Sequence, residues 1–502
     1  MNNSSSPVFA QRSSGVLLHP TSLPGTGGCG DLGAAAYHFV DWLVKAGQTL
    51  WQVLPLNPVG PGNSPYQSVS TFAGSPLLVD LESLVRRGWL GWEPDQGYER
   101  ERCDFARVTP RRMDRLRLAW AGFSASATEK ERAQLQEFRT LHQHWVEDYA
   151  LFMALDETYG GAWNRWPAQY ALRDAQSLED LRQEASGEIG FWCFVQWQFL
   201  EQWQRLRTYA NQRGVRIVGD APIFVAHHSA DVWANASQYL LDADGDPAVV
   251  AGVPPDYFSP TGQRWGNPLY HWEAMRADGY AWWRARLAHQ LTCVDVLRLD
   301  HFRGFESYWE VPAHAPDAVI GRWRQGPGQS LFDRLHAELG PLPLIAEDLG
   351  LITPAVTGLR LYCGYPGMRI LQFAFGDTPA NPYLPHNYEV GTVAYTGTHD
   401  NNTALGWWQG ISAYEREVVC RYLGLHARDA IHWAMIRAIS QSVAATVIHP
   451  FQDVLGLDGE HRMNVPGSAE GCWEWRFEWH QVGDDAATQL AEITYAHGRC
   501  PS

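Results

Sequence analysis

The chain of 502 residues is 45% hydrophobic and 19% charged, which allows a large buried core and excludes an intrinsically disordered protein. Lys and Arg number 39 against 55 Asp and Glu, so the formal net charge is −16. Phosphate backbones and anionic lipids attract positive charge, and no basic cluster is evident in the sequence. We therefore expect no nucleic-acid partner and no membrane partner.

The N-terminal segment and the cysteines favour a cytoplasmic location. Residues 1–15, MNNSSSPVFAQRSSG, lack the apolar core of a signal peptide. No uninterrupted apolar run long enough to span a membrane occurs in the sequence. The eight cysteines are scattered without a CxxC pair, which argues against a disulfide framework or a zinc site.

Aromatic residues are abundant, with 24 Trp, 20 Tyr and 19 Phe. Several of them lie among Gly, Pro, Asn and Asp, as in PPDYFSPTGQRWGNPLYHW (254–272). Rings in loops present flat apolar faces with polar edges, which suit the C–H face of a pyranose sugar. An ordinary role in the core is the alternative for most of these rings.

Short β-rich segments alternate with helical patterns along the chain. The segments are GVLLHPTSL (15–23), LWQVLPL (50–56), VRIVGDAPIFV (215–225), VDVLRLDHF (294–302), LPLIAEDLG (342–350), MRILQFAF (368–375), GTVAYTGTHD (391–400) and TVIHPFQDV (446–454). Eight strands that alternate with helices predict an α/β fold of the (β/α)₈ barrel type. In such barrels the active-site residues lie at the carboxyl ends of the strands.

Two long connections are expected to be insertions at the C-terminal face of the barrel. Residues 57–190 follow the second strand, and the Arg-, Glu- and Gln-rich part of this segment, 86–187, indicates a mostly helical subdomain. Residues 226–290 follow the third strand and indicate a loop-rich segment that carries a flap at 252–268. We expect residues 1–502 to form one elaborated barrel domain.

The fourth predicted strand, VDVLRLDHF, ends in an arginine and an aspartate two residues apart. Alternate residues of a strand share a face, so Val296, Arg298 and Asp300 are expected to point into the barrel. A guanidinium next to Asp300 would lower the pKa of this carboxyl and keep it charged, as a nucleophile requires. Taken alone, the pair is equally compatible with a buried structural ion pair.

Two other predicted strands also end in carboxylates. LIAEDLG places Glu347 and Asp348 after the fifth strand, and TGTHDNNT places His399 and Asp400 after the seventh. Asp348 or Asp400 could each cap a helix instead. Carboxylates at three neighbouring strand ends predict a shared pocket, in which like charges push the pKa values apart so that one carboxyl stays protonated.

This division of roles is typical of retaining glycoside chemistry, which needs a carboxylate nucleophile and a carboxylic acid that later acts as base. The sequence predicts Asp300 as the nucleophile and Glu347, which has no adjacent cation, as the acid/base. Asp400 and His399 are expected to hold substrate hydroxyls and distort the sugar ring. His301 is a further candidate for hydroxyl binding, and a purely structural role is the alternative for both histidines.

Several motifs resemble those of the 4-alpha-glucanotransferases of glycoside hydrolase family 77, also called amylomaltases. They are NSPYQ (63–67), GDAPIFV (219–225), PPDYFSPTGQRWGNP (254–268), RLDHFRG (298–304), AEDLG (346–350), YTGTHDNNT (395–403) and RMNVPGS (462–468). The resemblance implies an alpha-amylase-type barrel with large insertions, no separate C-terminal β-domain, no metal and no cofactor. In the family pattern Asp300 is the nucleophile, Glu347 the acid/base and Asp400 the transition-state stabiliser.

The resemblance also implies a set of substrate contacts. These are Ser64, Tyr66, Asp220, Arg298, His301 and His399 around the attacked glucose, Asp256, Phe258 and Trp265 on the acceptor side, and Asn464 and Pro466 in the last motif. Tyr66 is the ring expected to stack on the attacked glucose. The last motif often ends in Thr where this chain has Ser468.

The implied reaction transfers a segment of an α-1,4-glucan or maltooligosaccharide to the 4-hydroxyl of glucose or of another maltooligosaccharide. We expect a monomer or a weak homo-oligomer. A flap at PPDYFSPTGQRW (254–265) that excludes water would favour transfer, although Gly and Pro could equally form a tight surface loop. The alternatives are an α-1,4-glucan hydrolase, a non-catalytic glucan-binding barrel, and a metal-dependent lyase or isomerase.

Overall fold

The computed structural model describes residues 11–255, 259–376, 378–426, 429–468 and 470–500. Its strands in these residues are β1 (Ser13–Leu17), β2 (Leu50–Gln52), β3 (Arg216–Ala221), β4 (Val249–Val253), β5 (Gln263–Pro268), β6 (Val296–Leu299), β7 (Ser307–Pro312), β8 (Arg322–Gln325), β9 (Leu344–Ala346), β10 (Gly367–Ile370), β11 (Thr392–Tyr395) and β12 (Thr446–Pro450). They form two sheets, one parallel and one antiparallel.

Eight parallel strands curl into a nearly closed barrel, in the order β10-β11-β12-β1-β2-β3-β6-β9. Each predicted β-rich segment overlaps one of these strands, so the predicted (β/α)₈ barrel is confirmed. The strands are shorter than the predicted segments because the chain leaves the ladder before each segment ends, for example into the 3₁₀ helix Leu371–Phe373 after β10. Almost all residues of the barrel strands are buried, as expected when helices cover a parallel sheet.

Helices surround the barrel and fill the long connections. Their bounds are α1 (Ala34–Lys45), α2 (Leu81–Arg86), α3 (Phe105–Ser126), α4 (Glu129–Leu141), α5 (Val146–Tyr159), α6 (Ala168–Ala171), α7 (Ala175–Glu184), α8 (Ser186–Gln212), α9 (Ala230–Ala234), α10 (Trp272–Ala277), α11 (Ala281–Cys293), α12 (Gln329–Leu339), α13 (Pro354–Cys363), α14 (Ala404–Gly410), α15 (Ala413–Leu423), α16 (Ile431–Gln441), α17 (Phe451–Leu455) and α18 (Asp484–Ala496). The segment 57–190, proposed as an insertion, holds α2 to α7 and the first residues of α8. None of the helices in the described ranges is long and apolar enough to cross a membrane.

Asp348 closes the barrel between β9 and β10. The Ala346 N–H donates to Pro366 O at 3.0 Å, and the Met368 N–H donates to the Asp348 carboxylate at 2.7 Å. The same carboxylate forms ion pairs with Arg360 at 3.1 Å and Arg369 at 3.5 Å. Asp348 therefore joins two strands of the barrel and does not face the substrate side with its neighbour in the sequence.

The antiparallel sheet lies in the connections that follow β3 and β6, with the strand order β5-β4-β7-β8. The sequence did not indicate it, because QRWGNP in β5 contains Gly and Pro, and every residue of the edge strand β8, RWRQ, is exposed. Neither strand has the alternating apolar pattern of a half-buried strand. The antiparallel pairing of β4 with β5 holds the two ends of the segment 252–268 next to each other.

Candidate active site

One guanidinium joins two carboxylates at the carboxyl ends of β3 and β6. Asp220 and Arg298 are paired in the strand register, and Arg298 Nη1 donates to both oxygens of Asp220 at 2.8 and 2.7 Å. Arg298 Nη2 lies 2.8 Å from Asp300 Oδ1. The Asp220 side chain is fully buried and that of Arg298 is 5% exposed. The three linked side chains Asp220, Arg298 and Asp300, here called the charge chain, are therefore held inside the barrel.

Tyr66 attaches the connection after β2 to the same charge chain. Its hydroxyl donates to Asp220 Oδ2 at 2.7 Å. Ser64 caps the 3₁₀ turn Pro65–Gln67 by accepting the Tyr66 N–H at 3.2 Å. Burial raises the pKa of Tyr66 well above its ordinary value, so the hydroxyl keeps its proton. The predicted residues Ser64, Tyr66 and Asp220 are therefore brought together, with Ser64 acting on the backbone of the turn.

Three aromatic rings line one side of this site. The rings of Tyr66 and His399 are stacked, with centroids 5.3 Å apart and planes 14° apart. The ring centroid of Trp473 lies 5.7 Å from the centroid of each of these two rings. Trp473 was not predicted, and it has a left-handed backbone with φ 68°, which is a strained conformation for a tryptophan. The cluster of aromatic residues around it, CWEW, was the only signal in the sequence.

Glu347 is held by two backbone amides. The His301 N–H donates to Oε2 and the Leu349 N–H to Oε1, both at 2.8 Å. The pKa of Glu347 is raised to about 8. Burial is the largest cause and the charge of Asp300 the second, while the charge of Arg298 opposes the rise. At neutral pH Glu347 is therefore a protonated acid.

Asp300 differs from Glu347 by its direct contact with a cation. The sequence predicts that Arg298 lowers the pKa of Asp300, but the net change in the structure is upward. Burial has the larger effect, and the guanidinium offsets only part of it, while the carboxylates of Asp220 and Asp400 add to the rise. Burial of Asp300 thus outweighs its ion pair with Arg298, and the sequence could not indicate this.

Asp400 and His399 follow β11 and are held by the connection that contains Asn464. Asn464 Nδ2 donates to Asp400 Oδ1 at 2.7 Å, and His399 Nε2 lies 3.3 Å from the same oxygen. Arg462, which was not singled out from its motif, donates to Asp400 O at 2.8 Å. The Asp400 side chain is 44% exposed, so it borders the open side of the pocket. Pro466 is exposed on the same connection.

His301 and Trp265 meet on the other side of the pocket. His301 has a left-handed backbone with φ 50° and ψ 51°, and its ring lies edge-on to the half-buried Trp265, with centroids 4.8 Å apart. Its Nε2 is buried and has no hydrogen-bond partner in the described residues, and burial lowers its pKa to about 3. A neutral, unpaired imidazole is suited to a sugar hydroxyl. Asp256 and Phe258 lie outside the described residues.

The pocket therefore combines a neutral carboxylic acid, an ion-paired carboxylate, a protonated phenol and an unpaired imidazole. This set can protonate a leaving oxygen while a carboxylate attacks the carbon that it leaves. In the described part of the chain, no group of three or more His, Cys, Asp or Glu side chains is placed to hold a metal ion.

Comparison with known families places the chain among enzymes that act on glucans. The family model described as 4-alpha-glucanotransferase, glycoside hydrolase family 77, matches residues 18–481. The chain belongs to this family. The predictions of its family and its enzyme class are thereby confirmed.

Relatives match over nearly the whole chain. The 4-alpha-glucanotransferase of Thermus thermophilus is 47% identical over 496 residues, covering 97% of this chain and 99% of that protein. The chloroplastic/amyloplastic 4-alpha-glucanotransferase of Arabidopsis thaliana is 42% identical over 497 residues, covering 98% of this chain and 86% of that protein. Amylomaltase from Streptococcus agalactiae in complex with acarbose has a TM-score of 0.95 at 36% identity, covering 98% and 100% of the two chains.

The raised pKa of Glu347 leads to a test by titration. In the wild-type enzyme we expect Glu347 to lose its proton near pH 8, where its pKa lies. The Asp300→Asn variant should lower that pKa, because it removes the carboxylate charge that disfavours ionisation. Infrared difference spectra of the protonated carboxyl band, with Glu347→Gln to assign it, measure the change.

Asp400→Asn is the control, since it removes one charge from the same pocket but not the one that acts most strongly on Glu347. It should shift the pKa less than Asp300→Asn does. An equal shift in both variants, or a band that titrates near the ordinary value of a glutamate in the wild type, would contradict the assignment.

Proposed function

We propose that the enzyme transfers segments of α-1,4-glucans by retaining double displacement, with Asp300 as the nucleophile and Glu347 as the acid and then the base. The observation that carries this proposal is the difference between the two carboxyls. The pKa of Glu347 is raised to about 8, whereas Asp300 has the guanidinium of Arg298 at 2.8 Å. One is thus protonated at neutral pH, and the other has a cation to stabilise its charge.

In the first step the Asp300 carboxylate attacks the anomeric carbon of the donor glucan. The bond from that carbon to the leaving 4-oxygen breaks, and Glu347 gives its proton to this oxygen. The product is a glucosyl ester of Asp300. In the second step the Glu347 carboxylate takes the proton of an acceptor 4-hydroxyl, whose oxygen attacks the anomeric carbon and releases Asp300.

Other side chains of the pocket support the sugar ring. We assign Asp400 and His399 to hydroxyls of the attacked glucose, where developing positive charge on the ring is stabilised by the nearby carboxylate. Asn464 holds Asp400 in place by its 2.7 Å hydrogen bond. Tyr66 offers a ring face to the sugar, and its hydroxyl is fixed by Asp220.

Transfer in place of hydrolysis is proposed to depend on the β4–β5 segment. Trp265 in β5 lies beside His301, which is the residue after the nucleophile. A sugar stacked on this ring would occupy the space from which water could attack, and would bring its 4-hydroxyl close to the ester. Asp256 and Phe258 are proposed contacts of the same acceptor side.

The proposed partners are α-1,4-glucans or maltooligosaccharides as donors, and glucose or maltooligosaccharides as acceptors. The complex of the Streptococcus agalactiae amylomaltase with acarbose supports a sugar-binding pocket in this fold. We also propose a cytoplasmic monomer or weak homo-oligomer. All eight cysteines are free thiols, which is compatible with a reducing compartment.

Products from maltotriose distinguish transfer from hydrolysis. We expect shorter and longer maltooligosaccharides to appear together while the number of reducing ends stays constant, because each bond broken is replaced by another of the same kind. The measurement resolves chain lengths by chromatography and counts reducing ends in parallel. The Asp300→Asn variant is the control and should give no new products; a steady rise in reducing ends without longer chains would instead support a hydrolase.

Trp265→Ala tests the role of the acceptor-side ring. An aromatic contact contributes about 1 kcal/mol, so its loss should raise the ratio of hydrolysis to transfer by roughly fivefold. The ratio is obtained from released glucose and reducing ends at fixed maltotriose concentration. Trp323→Ala is the matched control, since Trp323 belongs to the edge strand β8 of the same sheet. An unchanged ratio in Trp265→Ala, or an equal rise in both variants, would contradict the proposed role.

A further inference from the structure

Asp453 is a buried carboxylate that takes no part in the steps above. It lies in α17, directly after β12, and is 1% exposed. Its Oδ2 accepts the hydroxyl of Thr396 at 2.6 Å, and its Oδ1 accepts the Ala404 N–H at 2.6 Å. We call this arrangement the Asp453 bridge. It joins the two ends of the loop 397–403 with one side chain.

The loop 397–403 follows β11 and carries two side chains of the pocket, His399 and Asp400. Its interior is tied by Asn401, whose Oδ1 accepts the Thr398 N–H at 2.8 Å. These bonds shape the turn itself. The Asp453 bridge differs because it connects the turn to a neighbouring strand end of the barrel.

A small pocket borders the loop. A cavity of about 20 Å³ is lined by Asp453 and His399, and also by His19 and Arg462. This volume has room for about one water molecule. Hydrogen bonds therefore contribute to the position of the loop: the Asp453 bridge holds its two ends, and Asn464 and Arg462 hold Asp400 between them.

We propose that Asp453 is a positioning residue for the transfer reaction, which holds both ends of the loop so that Asp400 and His399 meet the sugar ring in a fixed geometry. Asp453 acts through the loop and does not touch the substrate. The inference rests on the proposed role of Asp400 at the sugar ring. It assigns a role in catalysis, in addition to stability, to a residue of the short helix that follows the last barrel strand.

The electrostatics of Asp453 support a role beyond folding. Burial raises the pKa of Asp453 to about 6, so at pH 7 the folded enzyme contains a buried, ionised carboxylate. No salt bridge to Asp453 occurs in the described residues, and its two hydrogen bonds come from uncharged donors. A neutral amide of the same shape would remove the desolvation cost, but it has only one oxygen with which to accept two donors.

Asp231 provides a matched control elsewhere in the chain. It is 4% exposed and accepts a backbone N–H and a hydroxyl, as Asp453 does, at 2.8 and 2.9 Å. Burial raises its pKa too. Both of these donors belong to Thr71, and Trp282 and Arg286 also interact with the carboxylate and lower its pKa. Asp231 does not join the two ends of the loop 397–403.

The test compares Asp453→Asn with Asp231→Asn. In Asp453→Asn we expect kcat with maltotriose to fall by about tenfold to a hundredfold, the scale of an Å-sized misplacement in an active site. The KM and the melting temperature at pH 7 should change little, because the amide removes a buried charge. Asp231→Asn should leave kcat near the wild-type value. An unchanged kcat in Asp453→Asn would overturn the proposal, as would a loss of kcat that matches a loss of folded protein.

Thr396 allows the same test without changing a charge. Thr396→Val removes the hydroxyl donor but keeps the shape of the side chain, so kcat should fall in the same direction. Thr396→Ser keeps the hydroxyl and should retain most of the activity. Equal activity of the Val and Ser variants would overturn the proposed contribution of the bridge.

A double-mutant cycle separates this inference from the proposed function. Turnover of a maltosyl fluoride, which needs little acid assistance, is measured for Asp400→Asn with and without Asp453→Asn. If the bridge acts through Asp400, the second change should add little further loss. Full additivity overturns the bridge while leaving the role of Asp400 intact. Wild-type turnover in Asp400→Asn alone would overturn the role of Asp400, and the inference with it.

Discussion

The pocket depends on a single buried cation that two carboxylates share. Arg298 contacts both oxygens of Asp220 and one oxygen of Asp300, and without it two carboxylates would be left in a buried site with no counter-charge. Removing one partner of a buried ion pair typically costs about 3–5 kcal/mol. The strand register that places Asp220 opposite Arg298 thus determines where the proposed nucleophile, Asp300, can lie. Tyr66 is held by the carboxylate of Asp220.

The environment then makes the two proposed catalytic carboxyls, Asp300 and Glu347, differ from each other. Burial raises the pKa of both carboxyls, but only Asp300 contacts the guanidinium of Arg298. Glu347 instead accepts two backbone N–H groups, and the charge of Asp300 raises its pKa further. The hydrogen bond from the His301 N–H to Glu347 also joins two strand ends, because His301 follows Asp300. The proposed acid is therefore positioned by the same short segment that carries the proposed nucleophile.

The sequence could predict those parts of the fold and site that depend on local pattern. Apolar segments with polar ends indicated the barrel strands, and alternation along VDVLRLDHF indicated that Arg298 and Asp300 share a face. The structure also shows what local pattern leaves out. Strand β8 is polar and exposed on every residue, and Trp473 reaches the pocket from a connection far along the chain.

Long-range contacts explain the other differences. Asp348 follows the proposed acid directly, yet it closes the barrel through the Met368 N–H, a partner that its own segment does not reveal. Asp453 lies within a predicted β-rich segment, but its proposed role depends on its hydrogen bonds to Thr396 and Ala404 at the two ends of the loop 397–403. The net pKa change of Asp300 depends on how deeply the pocket is buried, which composition and spacing do not determine.

Identification of the covalent intermediate tests the central claim most directly. The Glu347→Gln variant should react with a maltosyl fluoride, because fluoride leaves without a proton donor. The second step should then be blocked, because glutamine cannot take the proton of the acceptor hydroxyl. Mass spectrometry of the intact protein and of its peptides should find one maltosyl group, attached to Asp300. Turnover of the fluoride without any adduct, or an adduct on a different carboxylate, would contradict the account.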